Sequence, residues 1–96
     1  MEHREKPRIL IVDDEKMNLK VLADLLREEY RPVLARDGEQ ALQHAFGDAT
    51  PDLILLDVIM PQLGGYEVIK RLKENDRTKN IPVIFVTSLD SVEIGR

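Results

Sequence analysis

The chain has 96 residues, which suits one domain, and its hydrophobic content of 43% is ordinary for a globular protein. The formal net charge of -4 argues against nucleic-acid binding, and the absence of cysteine excludes disulfides and thiolate metal sites. No apolar stretch approaches the roughly 18 residues of a membrane span, and the N-terminus lacks the apolar core of a signal peptide, so we expect a cytoplasmic protein without membrane contact.

The first part of the chain predicts a leader, a strand and a helix. Residues 1–7 are charged, end in proline and are expected to form a short disordered leader. Residues 9–12 are apolar at every position and predict the first strand. Hydrophobic residues at helical spacing then predict an amphipathic helix over residues 16–29. Its expected apolar face consists of Met17, Val21, Leu22, Leu25 and Leu26.

A second strand and a second helix follow. Residues 31–35 predict a short strand at the edge of the sheet, because Pro32 has no N–H to donate to a second neighbour. Asp37 is expected to cap the next helix, with Gln40 reaching back toward the cap. The stripe that this helix buries is predicted to contain Ala41, Leu42, Ala45 and Phe46.

The remaining elements complete an alternation of strand and helix. Residues 53–56 and 83–86 are again apolar at every position, which is typical of strands covered on both faces. A helix lies between them, and its expected apolar face is Tyr66, Val68, Ile69 and Leu72. Because right-handed crossovers join such elements, the sequence predicts an α/β domain with a parallel sheet.

Acids and a hydroxyl group follow three of the predicted strands. Asp13 and Asp14 come after the first strand, Asp57 closes the run at residues 53–56, and Thr87 follows the last strand. The carboxyl ends of parallel strands form the ligand-binding edge of such a sheet, so these side chains should converge. Converging carboxylates require a hard cation or a proton. Taken singly, an acid after a strand is as often a helix cap, and only the combination with Asp57 indicates a metal site.

These residues form a pattern that resembles the receiver domain of two-component response regulators. The pattern comprises Val-Asp-Asp-Glu at residues 12–15, Leu-Leu-Asp-Val-Ile-Met-Pro at residues 55–61, Gly-Tyr-Glu at residues 65–67, and Thr87. The resemblance implies a flavodoxin-like parallel sheet with strand order 2-1-3-4 and flanking helices. It also implies a phosphoacceptor regulatory domain rather than an enzyme.

The resemblance assigns a role to each site residue. It implies that Asp57 is the phosphoacceptor and that Thr87 is the switch hydroxyl. Asp13, Asp14 and Asp57 would hold Mg²⁺, or Mn²⁺, together with the backbone carbonyl of Ile59. The expected partners are a sensor histidine kinase or phosphotransfer protein, which supplies the phosphoryl group, and an output domain that the sequence does not identify.

The resemblance stops before a receiver normally ends. Receivers continue through a fourth helix, a fifth strand ending in Lys-Pro and a fifth helix, whereas this sequence ends at Arg96. Residues 8–96 are therefore interpreted as a receiver domain that is incomplete at its C-terminus and lacks the family's lysine partner of the phosphoryl group. Residues 83–86 would then form an exposed apolar edge beside an open sheet face, and we expect self-association through both.

Other functions remain in competition with phosphotransfer. A phosphate-independent interaction module would keep the same fold and signal by binding alone. A phosphohydrolase with an aspartyl nucleophile should show Asp-x-Asp after one strand, and a Rossmann domain should show Gly-x-Gly-x-x-Gly after the first strand; neither pattern is present. Residues 77–87 resemble receivers that are fused to cyclic-di-GMP enzymes.

Overall fold

The computed structural model describes residues 6–57 and 64–86. These residues contain a four-stranded parallel sheet in the order β2-β1-β3-β4, which confirms the predicted flavodoxin-like arrangement. The strands are β1 (Arg8–Val12), β2 (Arg31–Ala35), β3 (Leu53–Asp57) and β4 (Val83–Val86). The helices are α1 (Lys16–Leu26), α2 (Gly38–Ala45) and α3 (Gly65–Lys73).

Two apolar layers cover the sheet, and the alternation of side chains along β1 separates them. Leu10 and Val12 belong to the larger layer, under α2 and α3, whereas Ile9 and Ile11 belong to the smaller layer, under α1. The larger layer also contains Ala35, Ala41, Leu42, Ala45, Ile54, Leu56, Val68 and Leu72. The central strand is therefore buried on both faces, as its uninterrupted apolar run predicts.

Helix α1 differs from its prediction in length and in the face that it buries. It ends at Leu26 rather than residue 29, because the chain must turn back for Arg31 to pair with Pro7 and start β2. The residues that pack on the sheet are Leu19, Leu22 and Leu26, and Leu19 was not in the predicted set. Met17, Val21 and Leu25 are exposed, so the prediction that they form the buried face is wrong.

Helical spacing explains this error. Two apolar rows run along α1. One has the spacing i, i+3 and i+7 and the other has the spacing i, i+4 and i+8. Both spacings fit the buried face of a helix, so periodicity alone does not distinguish them. The first row, which starts at Leu19, faces Ile9 and Ile11 of the sheet. The second row starts at Met17 and lies away from the sheet. We call Met17, Val21 and Leu25 the α1 row.

The start of α2 follows the prediction closely. The carboxylate of Asp37 accepts a hydrogen bond from the Gln40 N–H at 2.8 Å, and the Gln40 side chain reaches back to accept from the Arg36 N–H at 2.8 Å. In the usual capping box the N–H of the N-cap residue donates the second bond, whereas here the donor is the N–H of the residue before the N-cap. Pro32 lies in β2, which pairs only with β1, so its predicted edge position is confirmed.

Apolar side chains at the β4 edge of the sheet are more exposed than the sequence predicts. Tyr66 is exposed rather than buried in the face of α3, and its ring lies 6.1 Å from that of Phe85 on β4. Ile84 and Phe85 are each about half exposed, so the apolar run of β4 is not covered on both faces. Its position at the edge of the described sheet explains this exposure, since β4 pairs there only with β3.

The first described residues are attached to the domain. Pro7 accepts a backbone hydrogen bond from Arg31 at 2.8 Å, and the Lys6 ammonium group donates to the Arg27 carbonyl at 3.1 Å. Residues 1–5 of the predicted leader lie outside the described residues. No helix within residues 6–57 and 64–86 has the length and apolar character needed to span a lipid bilayer.

A buried threonine closes the turn between α3 and β4. Thr78 is only 1% exposed, and its hydroxyl donates to the Leu72 carbonyl at 2.7 Å. That carbonyl lies in the last turn of α3 and also accepts from the Asn75 N–H at 3.3 Å, so the hydroxyl makes the shorter of these two bonds. Thr78 therefore satisfies a helix end and fixes the approach of the chain to β4.

Replacing Thr78 by valine should lower the free energy of unfolding by about 1 kcal/mol, because it preserves the shape and removes the shorter hydrogen bond to the Leu72 carbonyl. Urea denaturation measures this change. Thr78→Ser is the matched control, since it keeps the hydroxyl and loses only the methyl group. If the serine variant were the less stable of the two, packing of the methyl group would be the dominant contribution.

Candidate functional site

Strand register places Asp13 and Asp57 next to each other. Val12 of β1 pairs with Leu56 of β3, so the residues that follow them lie at the same level of the sheet. The Asp13 N–H donates to the Ala35 carbonyl at 3.1 Å, which continues the ladder between β1 and β2 past the end of β1. Both acids therefore have backbones held by the sheet, at its carboxyl edge.

Asp14 completes a cluster of three carboxylates. Asp13, Asp14 and Asp57 each offer an oxygen, and these oxygens lie within 4.8 Å of one another. Asp13 is 4% exposed and Asp57 is 3% exposed, whereas Asp14 is exposed. The cluster thus has two buried acids and one acid that opens to solvent.

Two neutral donors hold the Asp13 carboxylate. The Glu15 N–H donates to Oδ1 at 2.9 Å, and the side-chain amide of Asn18 donates to Oδ2 at 3.1 Å. The first bond connects the acid to the residue that precedes α1, so Asp13 also helps to start this helix. The N-cap residue of α1 is Glu15, and no side chain makes a cap hydrogen bond there, so the helix-cap interpretation of Asp13 is wrong, whereas Asp13 does belong to the acidic cluster. Asn18 is not among the site residues predicted from the sequence, although its place in the first turn of α1 puts it within reach of a residue just before the helix.

The cluster has the chemistry of a magnesium site. Unit charges about 4 Å apart interact by roughly 1 kcal/mol in water and roughly 4 kcal/mol at an effective dielectric constant of 20, so the three acids repel each other. Mg²⁺ prefers carboxylate oxygens and water, and opposite ligands in its octahedron are separated by roughly 4.2 Å. The spread of 4.8 Å is close to that value. A water molecule between the ion and the exposed Asp14 would accommodate the difference, so the residues present fit the ion.

Three of the five predicted site residues are brought together. Asp13, Asp14 and Asp57 form the cluster that the sequence predicts. Ile59 and Thr87 lie outside the described residues, so their predicted roles stay predictions.

Comparison with known proteins decides the family. The family model of the response regulator receiver domain matches residues 9–95. The chain belongs to this family. Receiver domains are regulatory domains of two-component signalling, and the acidic cluster occupies the position at the sheet edge that the sequence pattern predicts.

Individual relatives agree with this assignment. A probable cyclic di-GMP phosphodiesterase of Vibrio cholerae is 42% identical over 93 residues, which is 97% of this receiver and 21% of that protein. The response regulator PleD of Caulobacter vibrioides is 46% identical over 84 residues, or 86% of this receiver and 18% of PleD. The chain thus spans about a fifth of the length of these two relatives. The description of the first relative agrees with the sequence pattern, since residues 77–87 resemble receivers that are fused to cyclic-di-GMP enzymes.

A solved structure supports the fold in the same way. The response regulator TrrA of Thermotoga maritima, crystallised in complex with Mg(2+)-BeF, is 36% identical and has a TM-score of 0.75. The alignment covers 84% of this receiver and 69% of TrrA.

Repulsion among the three carboxylates predicts that the free energy of unfolding depends on their number and on added metal. Asp14→Asn removes one of the three charges, so in the presence of a chelator it should raise the free energy of unfolding by about 1 kcal/mol. Added Mg²⁺ should stabilise the wild type more than this variant, because the variant lacks a ligand charge. Urea unfolding in EDTA and in MgCl₂ measures both effects.

Asp48→Asn provides the control, since Asp48 is an exposed acid in the loop after α2 and is not part of the cluster. It should respond to Mg²⁺ as the wild type does. An equal metal response in all three proteins would contradict a metal site that includes Asp14.

Proposed function

We propose that Asp57 accepts a phosphoryl group from the phosphohistidine of a sensor histidine kinase or a phosphotransfer protein. The observation that supports this function is the position of a buried carboxylate at the carboxyl edge of the sheet, beside Asp13 and Asp14. Membership of the receiver family points to the same role for the acid at the end of β3.

The proposed step is a displacement at phosphorus. A carboxylate oxygen of Asp57 attacks the phosphorus atom, the bond between phosphorus and the imidazole nitrogen breaks, and its electron pair stays on that nitrogen. The product is an acyl phosphate on Asp57. Because attacking group and phosphoryl group are both negative, a bound Mg²⁺ or Mn²⁺ would supply the positive charge that lets them approach.

The chain's own residues prepare this step. Asp13 and Asp14 would hold the cation with Asp57, and the backbone carbonyl of Ile59 is proposed as a further ligand. The Thr87 hydroxyl is proposed to bond the phosphoryl group and relay its presence. Burial of Asp57 and Asp13 limits the access of water, which would otherwise screen the charges.

The α1 row is the surface that we propose for the phosphoryl donor protein. Its three residues are exposed, and Leu25 is 72% exposed although it is large and apolar. The row runs along the helix that begins directly after Asp13 and Asp14, so a partner bound there has its histidine close to the cluster. Exposed apolar rows of this kind suit the apolar face of a partner helix.

Acetyl phosphate and a phosphorylated partner should therefore give different results in the same variants. With acetyl phosphate and Mg²⁺, intact mass spectrometry should detect one added phosphoryl group on the wild type and on Leu25→Asp, and none on Asp57→Asn. Transfer from a phosphohistidine protein should be slowed by Leu25→Asp, because the charge disrupts apolar docking, and not by His44→Asp on the exposed side of α2.

Modification of Asp57→Asn at the wild-type level would refute Asp57 as the phosphoacceptor. If Leu25→Asp slowed both donors equally, the variant would act on the site or on folding, and the α1 row would not be the docking surface.

We further propose that β4 mediates self-association. Ile84 is 50% exposed, and within the described residues β4 pairs on one side only. An apolar strand with an unpaired edge is a template for pairing with a second strand. The same surface favours the second candidate function, a phosphate-independent interaction module, which predicts association without any phosphoryl donor.

Light scattering after gel filtration should show a mass that increases with protein concentration. Ile84→Lys should shift the wild-type equilibrium toward monomer, because a charge at the edge opposes pairing. Leu34→Lys is the matched control, since Leu34 is exposed on β2 at the opposite edge. A wild type that stays monomeric at high concentration, or equal effects of the two variants, would refute association through β4.

A further inference from the structure

Asn18 is the residue of interest beyond the acidic cluster. It lies in the first turn of α1, is half-buried, and donates its side-chain amide to Oδ2 of Asp13 at 3.1 Å. The Glu15 N–H donates to the other oxygen of the same carboxylate at 2.9 Å. With one donor on each oxygen, the plane of the Asp13 carboxylate is fixed.

The two donors leave room for a cation. Each carboxylate oxygen has two lone pairs, so one donor per oxygen leaves one lone pair on each for a further partner. Both donors are neutral, and neither cancels the negative charge that attracts a cation. A lysine or arginine in place of Asn18 would compete with the cation for the same carboxylate.

Only one of these donors depends on a side chain. The Glu15 donor belongs to the backbone and is present whatever residue occupies that position. Among the described residues, the hydrogen bond from Asn18 is the side-chain contribution to holding Asp13. The orientation of a buried acid therefore depends on the residue type at position 18.

We infer that Asn18 is a positioning residue that orients Asp13 toward the cation and thereby sets the metal affinity of the site. This inference rests on the proposed function, because it requires that the cluster bind a metal. Groups that hydrogen-bond to metal ligands typically change metal affinity by about 10- to 100-fold when they are removed. Asn18→Ala should weaken binding of Mg²⁺ or Mn²⁺ within this range.

A structural role alone predicts a different outcome. If the amide of Asn18 served only to start α1, its removal would lower stability and leave the metal affinity of the folded protein unchanged. Gln40 provides a matched control, because it occupies the corresponding third position of α2 and also makes a hydrogen bond through its side-chain amide, to the Arg36 N–H. Gln40→Ala removes a side-chain hydrogen bond at a helix start that involves none of the three acids of the cluster.

The experiment is a calorimetric titration of the full chain with MgCl₂ and, separately, MnCl₂, with urea unfolding of each protein in EDTA. We expect Asn18→Ala to bind about 10- to 100-fold more weakly than the wild type, and Gln40→Ala to bind as the wild type does. Asn18→Ser, which is small and retains a donor, is the second variant should the alanine variant be unfolded. It should also bind more weakly, because its hydroxyl is too short to make the same bond.

The outcomes separate this inference from the proposed function. Absence of metal binding by the folded wild type, or equal binding by Asp57→Asn, would refute the proposed site and with it the role of Asn18. Binding by the wild type that is lost in Asp57→Asn but unchanged in both folded Asn18 variants would refute the positioning role alone.

Discussion

Parallel pairing of β1 with β3 is the constraint on which the rest of this receiver depends. Because Val12 pairs with Leu56, the acids that follow the two strands lie side by side at one edge of the sheet. A slip of one residue would reverse the faces of every side chain in the strand and separate the two carboxylates. Close packing of the individual side chains in the two apolar layers opposes such a slip, so the same packing that stabilises the fold also positions the site.

The carboxylates of the site repel each other within a well-packed apolar core. Asp13 and Asp57 are buried together, and this arrangement is unfavourable for the protein alone. The surrounding core offsets that cost, since Val12 and Leu56 directly before the two acids are almost fully buried. A cation bound by the three acids, as proposed, would reverse this balance and would couple metal binding at the edge of the sheet to the stability of the whole domain.

The exposed apolar surfaces lie on both sides of this edge. The α1 row begins beside the acids on one helix, and Ile84 and Phe85 lie on β4, next to the strand that carries Asp57. Exposed large apolar side chains are informative where they are contiguous rather than scattered. Their arrangement places the two surfaces that we propose for protein binding next to the acidic cluster.

The sequence by itself determined the strands, their ends and the chemical character of the site. Apolar runs, the cap at Asp37 and the proline in β2 are local signals, so their interpretation needs no knowledge of distant residues. The convergence of Asp13, Asp14 and Asp57 was also predictable, because all carboxyl ends in a parallel sheet meet at one edge.

Tertiary structure decided which side chains are buried and which polar groups meet. Both rows of α1 satisfy the helical period, and only the position of the sheet exposes Met17 and buries Leu19. Thr78 is buried because α3 ends against its turn, and the contact of Asn18 with Asp13 requires the angle at which α1 leaves β1. Periodicity describes one element at a time, whereas burial and hydrogen bonding between elements depend on how those elements pack.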